Sequence, residues 1–166
     1  MSVSKLIDLD ALLDLRARWR AEGKTVVWTN GCYDLLHVGH VRGLQEARGL
    51  GDVLVVGVNS DASVRTIKGP RRPIVPEAER AEVLAALTCV DRVLVFGQDT
   101  PVEVLARLKP DIHCKGADYA PPSTRPIPEA ETVRAYGGRI AFLTFSPGVS
   151  TTDIVRRIEQ TLRGDR

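Results

Sequence analysis

The feature that most limits the fold is an alternation. Five short, largely apolar runs at residues 25–29, 53–58, 92–96, 111–114 and 139–145 are separated by helix-patterned stretches from Val41, at 76–87, at 101–108, at 128–136 and from Ser150. Residues 53–58 (Val-Leu-Val-Val-Gly-Val) are apolar throughout rather than on every second position, which suits a strand buried on both faces. Strand, helix and strand in succession predict parallel strands joined by crossover helices, hence one open α/β sheet with helices on both faces. An opening helix is expected over 8–20, where Leu9, Leu12, Leu13 and Trp19 recur at helical spacing, Asp8 can cap and Gly23 can stop it.

A chain of 166 residues fits one domain with a real core, divided here into an N-terminal helical region (1–23) and a sheet core (24–166). No room is expected for a second catalytic domain. Lys and Arg total 23 against 21 acidic residues, so no excess positive charge points to a nucleic-acid partner. Cys32, Cys89 and Cys114 are odd in number and lack paired ligand spacing, so free thiols in a reducing cytoplasm are expected. No apolar run approaches the ~20 residues that cross a bilayer, and no membrane association is expected.

The strongest chemical signal follows the first strand. Residues 29–40 (Thr-Asn-Gly-Cys-Tyr-Asp-Leu-Leu-His-Val-Gly-His) set His37 and His40 around Gly39 on a strand-to-helix turn. A helix N-terminus offers unpaired N–H groups and partial positive charge, and a glycine lets a phosphate approach the backbone. The two imidazoles add donors that can brace a phosphorus centre gaining charge during displacement. A metal pair is the weaker reading: His113 is the only other histidine and Asp34 the only acid in the turn.

Other candidates also follow strands, and in such sheets ligands bind outside the carboxyl ends of strands. Ser150, Thr151, Thr152 and Asp153 open the last helix; alone they read as a cap, but beside a phosphate site their hydroxyls and N–H groups suit a triphosphate. Lys115 and Gly116 follow the fourth run, with Asp118 two residues on. Lys68, Arg71, Arg72 and Arg80 offer cations to a second phosphate, although a solvated loop explains Arg71 and a helix surface explains Arg80 equally well. The irregular stretch 120–128 is either a site cover or a surface connection.

Together these residues resemble the nucleotidyltransferases marked by a His-x-Gly-His motif, in their cytidylyltransferase-like branch. Residues 30–40 and 149–152 match the two ends of that family's site, and the likeness runs from about Thr25 to Ile158. Within the branch the chain looks most like the adenylyltransferases acting on D-glycero-β-D-manno-heptose 1-phosphate, through 58–63, 68–73, Glu79-Arg80, 99–101 and 115–119. Glycerol-phosphate cytidylyltransferases resemble it less: they carry an arginine shortly before the Ser-Thr-Thr element, where this chain has Phe145.

The resemblance implies a single Rossmann-like nucleotidyltransferase domain over 1–166. It implies transfer of AMP from ATP to the sugar 1-phosphate, with ADP-heptose and pyrophosphate as products and Mg2+ accompanying the triphosphate. The catalytic pair would be His37 and His40. Nucleotide contacts would come from Asn30, Gly31, Cys32, Tyr33 and Gly39, from Lys115, Gly116 and Asp118, and from Ser150, Thr151 and Thr152. The acceptor side would be formed by Asp34, Asp61, Lys68, Arg72 and Arg80, with Asp34 free to orient His37, to bind the acceptor through water or to brace the turn. A separate sugar kinase is expected upstream, and a homodimer is compatible with the sequence. Other acceptors (FMN, glycerol 3-phosphate, ethanolamine phosphate) and a nucleotide-sensing regulator remain alternatives.

Overall fold

The computed structural model describes residues 5–144 and 150–164. Phe145, Val149 and the loop 146–148 fall outside the described residues. The strands are β1 Val26–Gly31, β2 Val53–Asn59, β3 Arg92–Phe96, β4 Ile112–Gly116 and β5 Arg139–Leu143. They form one sheet in the order β3-β2-β1-β4-β5, every neighbouring pair parallel. Among the described residues seven α-helices interleave: α1 Leu9–Ala21, α2 Val38–Arg48, α3 Asp61–Lys68, α4 Glu77–Ala86, α5 Val102–Leu108, α6 Ala130–Ala135 and α7 Thr151–Arg163. Among the described residues no helix is long and apolar enough to cross a membrane.

The continuous apolar run of β2 is explained by its two covered faces. Leu54, Val56 and Val58 point into one cluster with Leu44 and Ala47 of α2 and Ala81 and Leu84 of α4. Val53 and Val55 point into the opposite cluster with Leu12 and Trp19 of α1, Leu105 of α5 and Val133 of α6. Alternate residues of a strand face opposite ways, so a doubly covered strand must be apolar at every position. Gly57 is the exception that proves useful: a Cβ there would lie 2.3 Å from Cζ2 of Trp28, so its absence makes room for the largest fully buried side chain of β1.

Asp8 caps α1 as its sequence predicts, its carboxylate accepting the Ala11 N–H at 2.8 Å, and Gly23 takes φ 69° just beyond the helix. Ahead of α1, the Val93 N–H donates to the Lys5 carbonyl at 2.9 Å and the Ile7 N–H to the Val93 carbonyl at 3.1 Å, laying this segment against β3. At the other end α7 has no buried residue, and Leu162 is 82% exposed.

Three expectations shift. β1 reaches Gly31 and β4 reaches Gly116, so Asn30, Gly31, Lys115 and Gly116 are strand residues rather than turn residues. α2 begins at Val38, which puts His40 in its first turn and makes His37 the residue that caps it. The stretch between β2 and the basic loop, for which no element was expected, is the helix α3, capped by Ser60, whose hydroxyl accepts the Ser63 N–H at 3.2 Å.

Candidate active site

β1 lies between β2 and β4, so the chain leaves the centre of the sheet in one direction and later continues in the other. Crossovers to either side of that point open a crevice at the carboxyl ends of the strands. A cavity of about 750 Å3 lies there. Its wall includes Thr29 to Asp34 from the end of β1, His40, Cys114 to Gly116 from β4, Lys68 and Arg72 from the basic segment, and Thr151 and Thr152 from α7.

The two histidine rings stack 3.7 Å apart, and the Tyr33 ring meets His40 edge-on at 5.2 Å. Nδ1 of His37 accepts the backbone N–H of His40 at 3.4 Å. In the neutral ring the proton of His37 therefore sits on Nε2, as a donor. Burial pushes the pKa of His40 down to about 4, with His37 acting in the same direction, and burial lowers that of His37 too. Among the described residues, the buried Nδ1 of His40 has no hydrogen-bond partner. A buried polar atom left unpaired is costly in a folded chain.

Asp34 is buried beneath the basic segment. Its carboxylate accepts the N–H groups of Ile74 at 2.6 Å and Val75 at 3.0 Å and the Arg72 guanidinium at 2.6 Å. Burial works against its charge, yet the Val75 and Ile74 N–H groups and Arg72 hold its pKa below the ordinary carboxylate value. It thus ties the end of β1 to residues 72–75 and fixes Arg72 on the cavity wall, while Lys68 stands exposed beside it.

Arg80 occupies a different place from the one its charge suggests. Its side chain is 0% exposed and its donors are committed: Nε to the Val75 carbonyl, Nη1 to those of Cys32 and Asn59, Nη2 to the Asp61 carboxylate at 2.7 Å. Neither Arg80 nor Asp61 lies on the cavity wall. A guanidinium with this many partners knits β1, β2 and the basic segment together from behind.

On the opposite side, Lys115 Nζ is 2.9 Å from Oε1 of Glu129 and lies 4.4 Å from the centre of the Tyr119 ring. Arg125 lies 4.5 Å from the same ring and pairs with Asp118, which is exposed and off the wall. Glu129 also bonds Nε2 of His113, a site-adjacent pair that the motif reading did not single out, whereas Tyr119 closes the 115–119 segment it did.

At α7, Ser150 does what a cap does: its hydroxyl accepts the Asp153 N–H at 3.1 Å and lies 2.6 Å from the Asp153 carboxylate. Thr151 and Thr152 face the cavity. The cavity wall thus carries histidine at one helix N-terminus, hydroxyls at another and a lysine between, a donor set built for a chain of phosphates. Among the described residues no three His, Cys, Asp or Glu side chains gather to hold a metal.

This donor set is that of an enzyme of phosphoryl or nucleotidyl transfer. The cytidylyltransferase-like family model matches residues 28–157, and the chain belongs to that family, a nucleotidyltransferase. It is 52% identical over 155 residues to the bifunctional protein HldE of Syntrophotalea carbinolica, covering 93% of this chain, and 53% identical over 157 residues to that of Citrifermentans bemidjiense, covering 95%. The chain spans about a third of the length of these curated relatives, 31% and 32%. A crystal structure of the lipopolysaccharide core biosynthesis protein from Thermoplasma volcanium superposes with TM-score 0.60 at 30% identity, over 75% of this chain and 98% of that one. The pantoate-beta-alanine ligase of Francisella tularensis shares the fold at 14% identity, TM-score 0.57, over 95% of this chain and 78% of that one.

Proposed function

We propose that the protein transfers AMP from ATP to D-glycero-β-D-manno-heptose 1-phosphate, giving ADP-heptose and pyrophosphate. The observation that carries nucleotidyl transfer is the meeting of His40, Lys115, Thr151 and Thr152 around one cavity at the switch in strand order. What supports the sugar is the motif likeness described above, the relation to proteins called HldE, and the lipopolysaccharide-core name of the Thermoplasma relative.

The acceptor phosphate is already an anionic nucleophile at neutral pH, so no serine or cysteine needs activation. One of its oxygens attacks the α-phosphorus in line, the bond to the β-phosphate bridge oxygen breaks, and pyrophosphate leaves with that electron pair. His37 and His40 donate to the oxygens that gain charge at the α-phosphorus. Thr151, Thr152 and the N–H groups of α7 receive the leaving phosphates, with Ser150 shaping that turn. Asn30, Gly31, Cys32, Tyr33, Gly39 and Gly116 frame the nucleotide side, while Asp118, off the wall, acts on it through its pairing with Arg125. Lys68 and Arg72 hold the acceptor phosphate, backed by Asp34, Asp61 and Arg80.

Mg2+ prefers oxygen ligands and keeps several waters. Asp34, Asp61, Asp118 and Glu129 are each paired with a cation already, so the donor set fits the ion as one carried in by the phosphates rather than caged by the protein. Bound there, it would neutralise charge on the leaving pyrophosphate. A sugar kinase has to supply the 1-phosphate, and the cytoplasm supplies ATP.

The test is pyrophosphate release across ATP, CTP, GTP and UTP, each paired with heptose 1-phosphate, glycerol 3-phosphate and FMN. Turnover is expected with ATP and heptose 1-phosphate, lowered about a hundredfold to a thousandfold in His40→Ala at unchanged circular dichroism. Turnover confined to CTP with glycerol 3-phosphate would overturn the substrate assignment. Nucleotide binding without turnover on any acceptor would make the protein a sensor instead.

A further inference from the structure

Lysine is a poor positioner: its ammonium ends a flexible four-carbon stem and has no fixed donor geometry. Lys115 is an exception. His113 and Lys115 are two residues apart on β4 and so share one face of the sheet, and both reach the same oxygen of Glu129, at 2.8 Å and 2.9 Å. His113 is 0% exposed and Glu129 1%. The Tyr119 ring lies against the ammonium on another side.

Glu129 holds the N-cap position of α6, where a carboxylate normally accepts the helix's free N–H groups, yet its side chain makes no capping bond. It is turned to β4 instead. Burial opposes its charge, but His113 and Lys115 bring its pKa down to about 2, so it is an anion at neutral pH. Burial also lowers the pKa of His113, only partly offset by Glu129. A neutral His113 donates through Nε2 and leaves the carboxylate's charge for the lysine. Of three ammonium donors one goes to Glu129, and two remain for a phosphate in the cavity that both residues line.

We propose that Glu129, held in place by His113, is a positioning residue that fixes the Lys115 ammonium against the phosphates of the nucleoside triphosphate. The inference rests on the nucleotidyl-transfer reading above and adds a residue to it. Glu129 acts through Lys115 and touches no substrate.

A double-mutant cycle tests it. Lys115→Met, Glu129→Gln and the double variant are compared by thermal melting, by calorimetric binding of a non-hydrolysable ATP analogue, and by kcat and KM for ATP. Each single change is expected to lower kcat/KM for ATP by about a hundredfold, the scale of a misplaced group. The double variant should be no worse than Lys115→Met, because without the lysine Glu129 has nothing to place. Glu129→Asp, which keeps the charge and withdraws the oxygen by one methylene, takes the place of Glu129→Gln should that variant not fold. Losses that multiply, or a Glu129 variant with wild-type kinetics, would overturn the inference while wild type still binds the analogue and turns over. Wild type that binds no triphosphate would instead overturn the nucleotidyl-transfer reading.

Discussion

His40 makes a quantitative prediction about acid stability. Its pKa stands at about 4 in the folded chain against an ordinary 6.5, chiefly because the ring is buried. Between those values the unfolded chain takes up a proton that the folded chain refuses. The stability this group contributes is therefore complete above about pH 6.5 and is lost as pH falls toward 4. The gap corresponds to ~3 kcal/mol in the limit, most of which is gone by about pH 4.5. His40→Gln removes the titration while keeping a polar side chain of similar reach. Urea unfolding followed by circular dichroism at about pH 7.5 and about pH 4.5 reads both proteins. Wild type should lose ~2–3 kcal/mol more than the variant across that interval, since the other acid-sensitive groups are common to both. A bound anion acts the other way, favouring the protonated ring, so saturating pyrophosphate should shrink the wild-type loss and leave the variant's unchanged. Equal acid losses in the two proteins would refute the assignment of a buried, neutral His40.

Two further substitutions probe the frame around the site. Gly57→Ala sets a methyl 2.3 Å from Cζ2 of Trp28 and 3.1 Å from Cε1 of Phe96, so Trp28 must move; a destabilisation of about 1–3 kcal/mol is expected with a shifted tryptophan emission, and an unchanged melting temperature would count against the packing described. Arg80→Met leaves the carbonyls of Cys32, Asn59 and Val75 and the Asp61 carboxylate without their buried donor, and should lower stability by ~3–5 kcal/mol in a denaturant titration. A stable Arg80→Met protein with only a raised KM for the acceptor would return Arg80 to direct substrate contact.

The sheet was legible because its signal is local and redundant: β2 runs without a polar side chain from Val53 to Val58, and the motif at residues 29–40 couples a strand end to a helix start. Helix α3 was not, because it is eight residues long, its buried residues are only Ser63 and Val64, and its one large apolar residue besides Val64, Ile67, is exposed, too short a pattern to show a period. The burial of Arg80 had no local sign at all, since its partners are carbonyls from residues 32, 59 and 75 that meet only after folding. Glu129 was hidden for a similar reason. It reads as a helix-start acid in sequence, and its partners sit 14 and 16 residues away. The stacking of His37 on His40 depends on His37 capping α2, which fixes the rotation of the two rings more than their spacing does.

The contact of residues 5–7 with Val93 bears on how copies of this protein behave together. A sheet of five strands has two flanks, and an unsatisfied flank is where separate chains pair and grow into aggregates. Along β3 the middle of that flank is occupied by the protein's own N-terminal residues, whose backbone takes up both hydrogen-bonding groups of Val93. Lateral growth is thus discouraged there by a short segment of which Ile7 also packs against the core, and among the described residues no strand pairs with the outer side of β5, the flank through which the sheet could be extended.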